Sequence, residues 1–267
     1  MKTKILYGKP VAEHYRKEFS AKINGATLAL ILVGDDGASI SYSRQLTKLT
    51  AALGGKVELK SFHKEATQDE VLACIEDLNQ DANIKGIMPL FPMPKHIDQN
   101  KIVNAIVPNK DLDCLNSVNT GEFYSGRSPW APATARSCLA ILKFYKVKLD
   151  GKRAVVIGRS NVVGKPVAQL LLNENATVTI CHSHTKKLKE ITAAADIIIA
   201  AVGRAKFLKP AMVKEGAVLI DVGINVTEKG IVGDICPNCY KKASAYTPVP
   251  GGVGVVANTM LLQKLAE

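Results

Sequence analysis

The run Arg153-Ala154-Val155-Val156-Ile157-Gly158-Arg159-Ser160-Asn161-Val162-Val163-Gly164-Lys165-Pro166 constrains the fold more than any other part of the chain. Four consecutive apolar residues, Ala154 to Ile157, read as a buried strand. A glycine-containing turn follows, and Pro166-Val167-Ala168-Gln169-Leu170-Leu171-Leu172 reads as a helix. Proline fits the first helical turn, where its missing N–H would have had no intrahelical partner. Strand, glycine turn and helix together open a dinucleotide-binding unit: glycine lets the backbone approach a pyrophosphate, and the helix start offers free N–H groups and a positive dipole end. The spacing here is Gly-x-Ser-x-x-x-Gly, not the usual Gly-x-Gly-x-x-Gly, so the turn alone would also suit an unrelated α/β protein.

The neighbouring stretches narrow this. Apolar runs at 176–181, 196–202 and 217–222 alternate with helical patterns, and the last two end at Gly203 and Gly223. Continuous apolar strands between helices predict a parallel sheet covered on both faces. Ligands of such sheets sit at the carboxyl ends of the strands, where Gly158, Gly203 and Gly223 all fall. The second strand ends in His182-Ser183-His184-Thr185, with no Asp or Glu to accept from a ribose 2′-hydroxyl. Arg159 in the turn, with the Ser183 hydroxyl, suits the additional 2′-phosphate of NADP, which a carboxylate would repel. A solvated turn arginine is the alternative.

Composition excludes several classes. Aromatic residues make up 5%, which argues against a nucleic-acid binder that works by stacking. A formal net charge of +11 suits anionic ligands, and no run of lysine and arginine concentrates it. The stretch from Met1 to Tyr7 has no signal-peptide core, and no apolar run approaches the ~18 residues of a membrane span, so a cytoplasmic location is expected. Among six cysteines, only Cys236-Pro237-Asn238-Cys239 has chemical spacing. Without a second pair it reads as a loop carrying two thiols, and no metal site is expected.

The N-terminal half reads as a second α/β unit. Helical periodicity covers 11–23, a buried strand 28–33, and a helix 39–53 with Ser39 as its N-cap. A strand at 56–62, a helix at 68–79 introduced by Thr67, a short strand at 86–88 and a helix at 97–107 follow. A helix at 133–145 joins the two units, and one from Gly252 to Leu265 closes the chain.

Taken together, these residues resemble the methylenetetrahydrofolate dehydrogenase/methenyltetrahydrofolate cyclohydrolase family over essentially the whole length. The likeness is densest in Val156-Ile157-Gly158-Arg159-Ser160 through Gly164-Lys165-Pro166, in Ile220-Asp221-Val222-Gly223-Ile224-Asn225 and in Thr247-Pro248-Val249-Pro250-Gly251-Gly252-Val253-Gly254. In the first half it lies in Val33-Gly34-Asp35, Ala38-Ser39, Tyr42, Lys110-Asp111-Leu112-Asp113 and Asn119-Thr120-Gly121. The resemblance implies an α/β fold of two domains with a cleft between them. The first is an N-terminal folate-binding catalytic domain over 1–127, closed by a C-terminal helix at 252–267. The second is a Rossmann-type NADP-binding domain over 128–251. A homodimer is implied too.

The same resemblance implies roles. Arg159 and Ser183 would hold the 2′-phosphate, Ser160 would approach the pyrophosphate beside Gly158, and Gly203 and Ile224 would line the nicotinamide end. Tyr42 would stack on the folate and Asp113 would accept from the amino edge of its pterin, making these two the expected catalytic pair. Leu46, Leu90, Pro250, Gly251 and Gly252 would complete the substrate site.

Departures from the family pattern bear on its two reactions unequally. The bifunctional members carry a lysine four residues after the tyrosine, where this chain has Leu46, and a glutamine where it has Leu90. Lys48 lies two residues further along the helix, a rotation of ~200° away from that face. Cys114 stands where glycine is usual, Val255-Val256-Ala257 where Pro-Met-Thr is usual, and Pro132-Ala133-Thr134-Ala135 lacks a cysteine and a proline. Hydride transfer needs two molecules held in register, whereas hydrolysis of the methenyl ring needs proton delivery. The expectation is therefore an NADP-dependent 5,10-methylenetetrahydrofolate dehydrogenase with little or no cyclohydrolase activity. A fully bifunctional enzyme and a non-catalytic folate or nucleotide binder are the other two readings.

Overall fold

A computed structural model describes residues 3–228 and 230–266. Met1 and Lys2 of the expected leaderless start, and Glu267 of the expected closing helix, lie outside the described residues. In chain order the first half contains β1 (Lys4–Ile5), α1 (Gly8–Ile23), β2 (Thr27–Val33), α2 (Gly37–Ala52), β3 (Lys56–Phe62), α3 (Gln68–Gln80), β4 (Ile84–Pro89), α4 (Gln99–Ala105) and α5 (Ser117–Tyr124). The second half contains α6 (Ala133–Phe144), β5 (Arg153–Ile157), α7 (Gly164–Asn173), β6 (Thr177–Cys181), α8 (Leu188–Ala193), β7 (Ile197–Ala200), β8 (Val218–Asp221), β9 (Asn225–Thr227), β10 (Gly230–Val232), β11 (Ala245–Tyr246) and α9 (Val253–Leu262).

The chain divides into two compact units. One combines Pro132–Met260 with the residues up to His14; the other combines Tyr15–Ala131 with the residues from Leu261 on. This differs from the expected division at both termini, for a backbone reason. Lys4 and Leu6 donate to the carbonyls of Ser244 and Tyr246 at 2.9 and 2.7 Å, which ties β1 to β11 and so to the Pro132–Met260 unit. Most of α9 likewise belongs with that unit, and only from Leu261 does the chain join the Tyr15–Ala131 unit.

The larger sheet has the order β1-β11-β8-β7-β5-β6, with every pairing parallel. All four residues of β7 are buried, as a strand covered on both faces requires. Val155, Ile157, Ile198, Ala200 and Leu219 form one face of the core, closed by Leu208 and Val213. From β5 the chain goes to β6 on one side and then to β7 on the other, so the strand order reverses between β5 and β7. Ligands bind in the crevice outside the carboxyl ends at such a reversal.

In the second unit β3-β2-β4 form a parallel sheet, and six of the seven β2 residues are buried. Helix α3 starts as read, with a reciprocal cap between Thr67 and Glu70. Helix α2 does not: its N-cap is Asp36, whose carboxylate accepts the Ser39 N–H at 2.8 Å. Ser39 lies inside the helix and is buried, with its hydroxyl near the same carboxylate oxygen at 2.8 Å. Helix α4 is shorter than the periodicity of 97–107 indicates, because Asp98 caps it. Helix α5, capped by Asn116, and the β9–β10 hairpin have no counterpart in the pattern reading.

Candidate functional site

The turn between β5 and α7 is held tight by close backbone packing. Gly158 has φ 126°, and a Cβ there would stand 2.2 Å from the Ala201 carbonyl oxygen at the end of β7. A Cβ on Gly164 would stand 2.2 Å from the carbonyl oxygen of Gly158 itself. Two glycines six residues apart are therefore what lets the strand, the turn and the helix start pack backbone against backbone. The Ser160 hydroxyl accepts from the N–H groups of Val163 and Gly164 at 3.2 and 3.3 Å. Its oxygen thus organises the start of α7, which leaves the hydroxyl proton to donate outward.

Beside this turn lies a cavity of about 450 Å³. Gly158, Arg159, His182, Ser183, Val202 and Arg204 are among the residues that line it. Arg159 and Ser183 are exposed. His182 accepts the His184 N–H through Nδ1 at 3.2 Å, which directs any ring proton of the neutral imidazole to Nε2. Desolvation, with the Arg159 and His184 charges adding to it, holds His182 below the ordinary imidazole range. Among the described residues no acid lines the cavity, and two guanidinium groups do. Nothing in the sequence singles out Arg204. It stacks over Phe207 at 5.1 Å from the ring centroid, a contact between residues three apart that no motif announces.

Expected folate-side residues divide between the two units. Tyr42, Leu46, Leu90 and Asp113 all lie in the Tyr15–Ala131 unit. Burial, with the Asp113 carboxylate adding to it, pushes the Tyr42 phenol above its ordinary range, so it stays a protonated O–H donor. Asp113 sits in a braced loop. The Lys110 ammonium donates to the carbonyls of Leu78, Asn79 and Asp81 at 2.8, 2.7 and 2.8 Å, closing the C-terminus of α3. Asp111 accepts from Leu115 N, Asn116 N and Asn119 Nδ2 at 3.2, 2.9 and 2.8 Å. Cys114 has φ 56°, a left-handed conformation that explains why glycine suits this position better.

Leu46 is fully buried and Leu90 is 2% exposed. Lys48 is exposed, as the helical rotation demands. The Pro250-Gly251-Gly252 segment lies in the Pro132–Met260 unit instead, where Gly8 N donates to Gly251 O at 2.8 Å. Gly203 and Ile224 follow β7 and β8 at the carboxyl ends, and Ile224 is 65% exposed. Cys239 is buried with its thiol pushed up to about 11 by desolvation, and its Sγ–H donates to Leu208 O at 3.3 Å.

Comparison with known proteins gives two family models. Tetrahydrofolate dehydrogenase/cyclohydrolase, catalytic domain, matches residues 6–113, and its NAD(P)-binding domain matches residues 132–267. The chain is 45% identical to the bifunctional protein FolD of Clostridium perfringens, over 99% of this chain and 98% of that protein. Its fold matches the crystal structure of the bifunctional enzyme FolD from Campylobacter jejuni with a TM-score of 0.96 at 39% identity, covering 99% and 98% of the two chains. It also matches the Trypanosoma brucei methylenetetrahydrofolate dehydrogenase-cyclohydrolase, solved with NADP cofactor and inhibitor, with a TM-score of 0.92 at 34% identity, covering 99% and 97%.

Proposed function

The chain belongs to the tetrahydrofolate dehydrogenase/cyclohydrolase family, and from that membership we propose that it is an NADP-dependent dehydrogenase oxidising 5,10-methylenetetrahydrofolate to the 5,10-methenyl cation. The observation that carries the cofactor choice is the cavity rim of Arg159, His182 and Ser183 with no carboxylate among its lining residues. At Gly158 and Gly164 a Cβ would meet backbone carbonyl groups, so this tight turn between strand and helix requires glycine at both positions. When bound, NADP supplies the hydride acceptor. Arg159 and Ser183 hold the 2′-phosphate, Ser160 and the Gly158 turn approach the pyrophosphate, and Gly203 and Ile224 border the nicotinamide end.

On the folate side Tyr42 offers a stacking ring and a phenol that does not ionise, and Asp113 offers a carboxylate acceptor to an amino-pyrimidinone edge. Oxidation releases a hydride from the methylene carbon and leaves a delocalised cation, so it needs positioning more than proton transfer. Ring opening needs a general acid or base. The relatives' printed name, bifunctional, favours a second reading in which 10-formyltetrahydrofolate is also made. Buried Leu46 and Leu90 weigh against it, since neither side chain has a donor, an acceptor or a titratable group.

A homodimer belongs to the same proposal. Strand β6 ends the sheet with Thr177, Thr179 and Ile180 exposed, and an unpaired edge of this kind is open to a second copy. No helix among the described residues is long and apolar enough to cross a membrane, and a cytoplasmic enzyme is the proposed setting. The test is a spectrophotometric assay for NADPH with methylenetetrahydrofolate, with light scattering for the dimer. Binding of both ligands without turnover would leave a folate-binding protein instead.

A further inference from the structure

Two buried carboxylates lie at the root of the cofactor site. Asp221 ends β8 and Asp234 follows β10, and the two are 1% and 0% exposed. Buried carboxylates are tolerated only where N–H donors replace water. Here they are fully provided. Asp234 accepts from Val202 N at 2.7 Å, Gly203 N at 2.9 Å, Arg204 N at 2.8 Å and Asn225 Nδ2 at 2.9 Å. Asp221 accepts from Gly223 N at 3.0 Å, Asp234 N at 2.8 Å and Ile235 N at 2.9 Å.

Space for them comes from two glycines. A Cβ on Gly223 would meet the Asp234 carboxylate at 2.2 Å, and one on Gly233 would meet that of Asp221 at 2.0 Å. The loops leaving β7 and β8 are thus tied together by acids, one at the end of β8 and one delivered from a third segment. Three successive N–H groups turned to one point form a concavity that ordinarily takes an anion. At the carboxyl end of a parallel sheet, that anion would be a phosphate. Here the chain fills the concavity with its own carboxylate. The N–H groups of Val202, Gly203 and Arg204 are therefore taken by the chain itself. Val202 and Arg204 also line the cavity.

We propose that Asp234, braced by Asp221, is a positioning residue for the dinucleotide: it fixes the Val202–Arg204 turn, which lines the same cavity as Arg159. This rests on the reading of the cavity as the NADP site. It also sets Asp234 apart from Arg159, because a wall shared by both dinucleotides does not discriminate between them.

Asp234→Asn keeps the volume but turns an NH₂ group toward two of the four donors. Calorimetric titration of NADP and of NAD, well below the melting temperature, should show both affinities falling about tenfold or more, with their ratio held within about twofold. The kcat at saturating NADP should fall as well. Unchanged affinities with only a lower melting temperature would overturn the proposal and leave Asp234 as scaffold. A loss confined to NADP would overturn it too. If Asp234→Asn does not fold, Asn225→Ala removes one donor without touching the turn. An affinity loss of about two- to fourfold for both dinucleotides supports the clamp, and no loss overturns it. Failure of the unmodified protein to bind NADP would instead overturn the cofactor reading, and this inference with it.

Discussion

Gly164, the first residue of α7, passes in backbone contact over Gly158, so closely that a Cβ on Gly164 would stand only 2.2 Å from the Gly158 carbonyl oxygen. The next nearest atoms are also backbone, the Gly158 carbonyl carbon at 2.5 Å and Arg159 N at 2.8 Å, so no side chain can swing aside. Gly164→Ala should open the turn. The cost to stability is about 1–3 kcal/mol, the usual scale of overpacking. NADP titration with a thermal melt checks it; wild-type cofactor affinity in the variant would mean the turn does not cradle the cofactor.

Arg159→Ala should weaken NADP by ~1.5–3 kcal/mol, the scale of a charge-assisted hydrogen bond, and leave NAD almost untouched. Parallel titrations of the two cofactors decide. Equal losses would show that the guanidinium does not read the 2′-phosphate.

Much of this is legible in the sequence because it is local. Four apolar residues, a turn and a helix announce β5 and α7, and Thr67 with Glu70 announces the start of α3. What stays hidden is long-range or cryptic. Two-residue strands such as β1 and β11 have no periodicity, and their pairing joins Lys4 to Ala245, at opposite ends of the chain. The start of α2 is ambiguous in sequence because Asp36 and Ser39 are both capping types, and only the geometry shows which one accepts. Helix α5 is obscured by Asn119 and Gly121, poor helix formers in a short segment. Asp234 is hidden because three of its four donors are backbone N–H groups, and backbone carries no sequence signal.

Asp111 and Asp113 stand two residues apart and should behave differently. Asp113→Ala should impair folate binding with NADP binding and stability near wild type. Asp111→Ala strands the N–H groups of Leu115 and Asn116 and removes one of the two acceptors of the Asn119 amide, and should cost about 1–3 kcal/mol in stability. Denaturant unfolding with folate and NADP titrations separates them. A fold damaged equally by both changes would remove the ligand role from Asp113.

Asp221 gives the protein a pH signature of unusual sign. Burial, opposed by its hydrogen bonds from Ile235, Asp234 and Gly223, raises its carboxyl from 3.8 to about 6. A raised folded value means the native state holds this proton more tightly than the unfolded chain. The stabilisation is fully present below the unfolded value and is lost as pH rises through about 6. Going from about pH 7 to pH 5 should restore about 1 kcal/mol from this group. Urea unfolding at both pH values, on the unmodified protein and on Asp221→Asn, reads it as a difference in slope. Identical slopes would show that Asp221 does not titrate in this range.

Oxidation should proceed in this protein while hydrolysis does not. Leu46 and Leu90 are buried and apolar; we propose that they stand where the bifunctional pattern has proton-handling groups, and general acid–base assistance is worth ~10²–10⁴-fold. The most direct measurement is to incubate the unmodified protein with NADP and methylenetetrahydrofolate and follow the absorbances of NADPH and methenyltetrahydrofolate together. The two should rise in equal amounts, and the methenyl signal should then decay at its uncatalysed rate. NADPH without methenyl accumulation, or no NADPH at all, would contradict this.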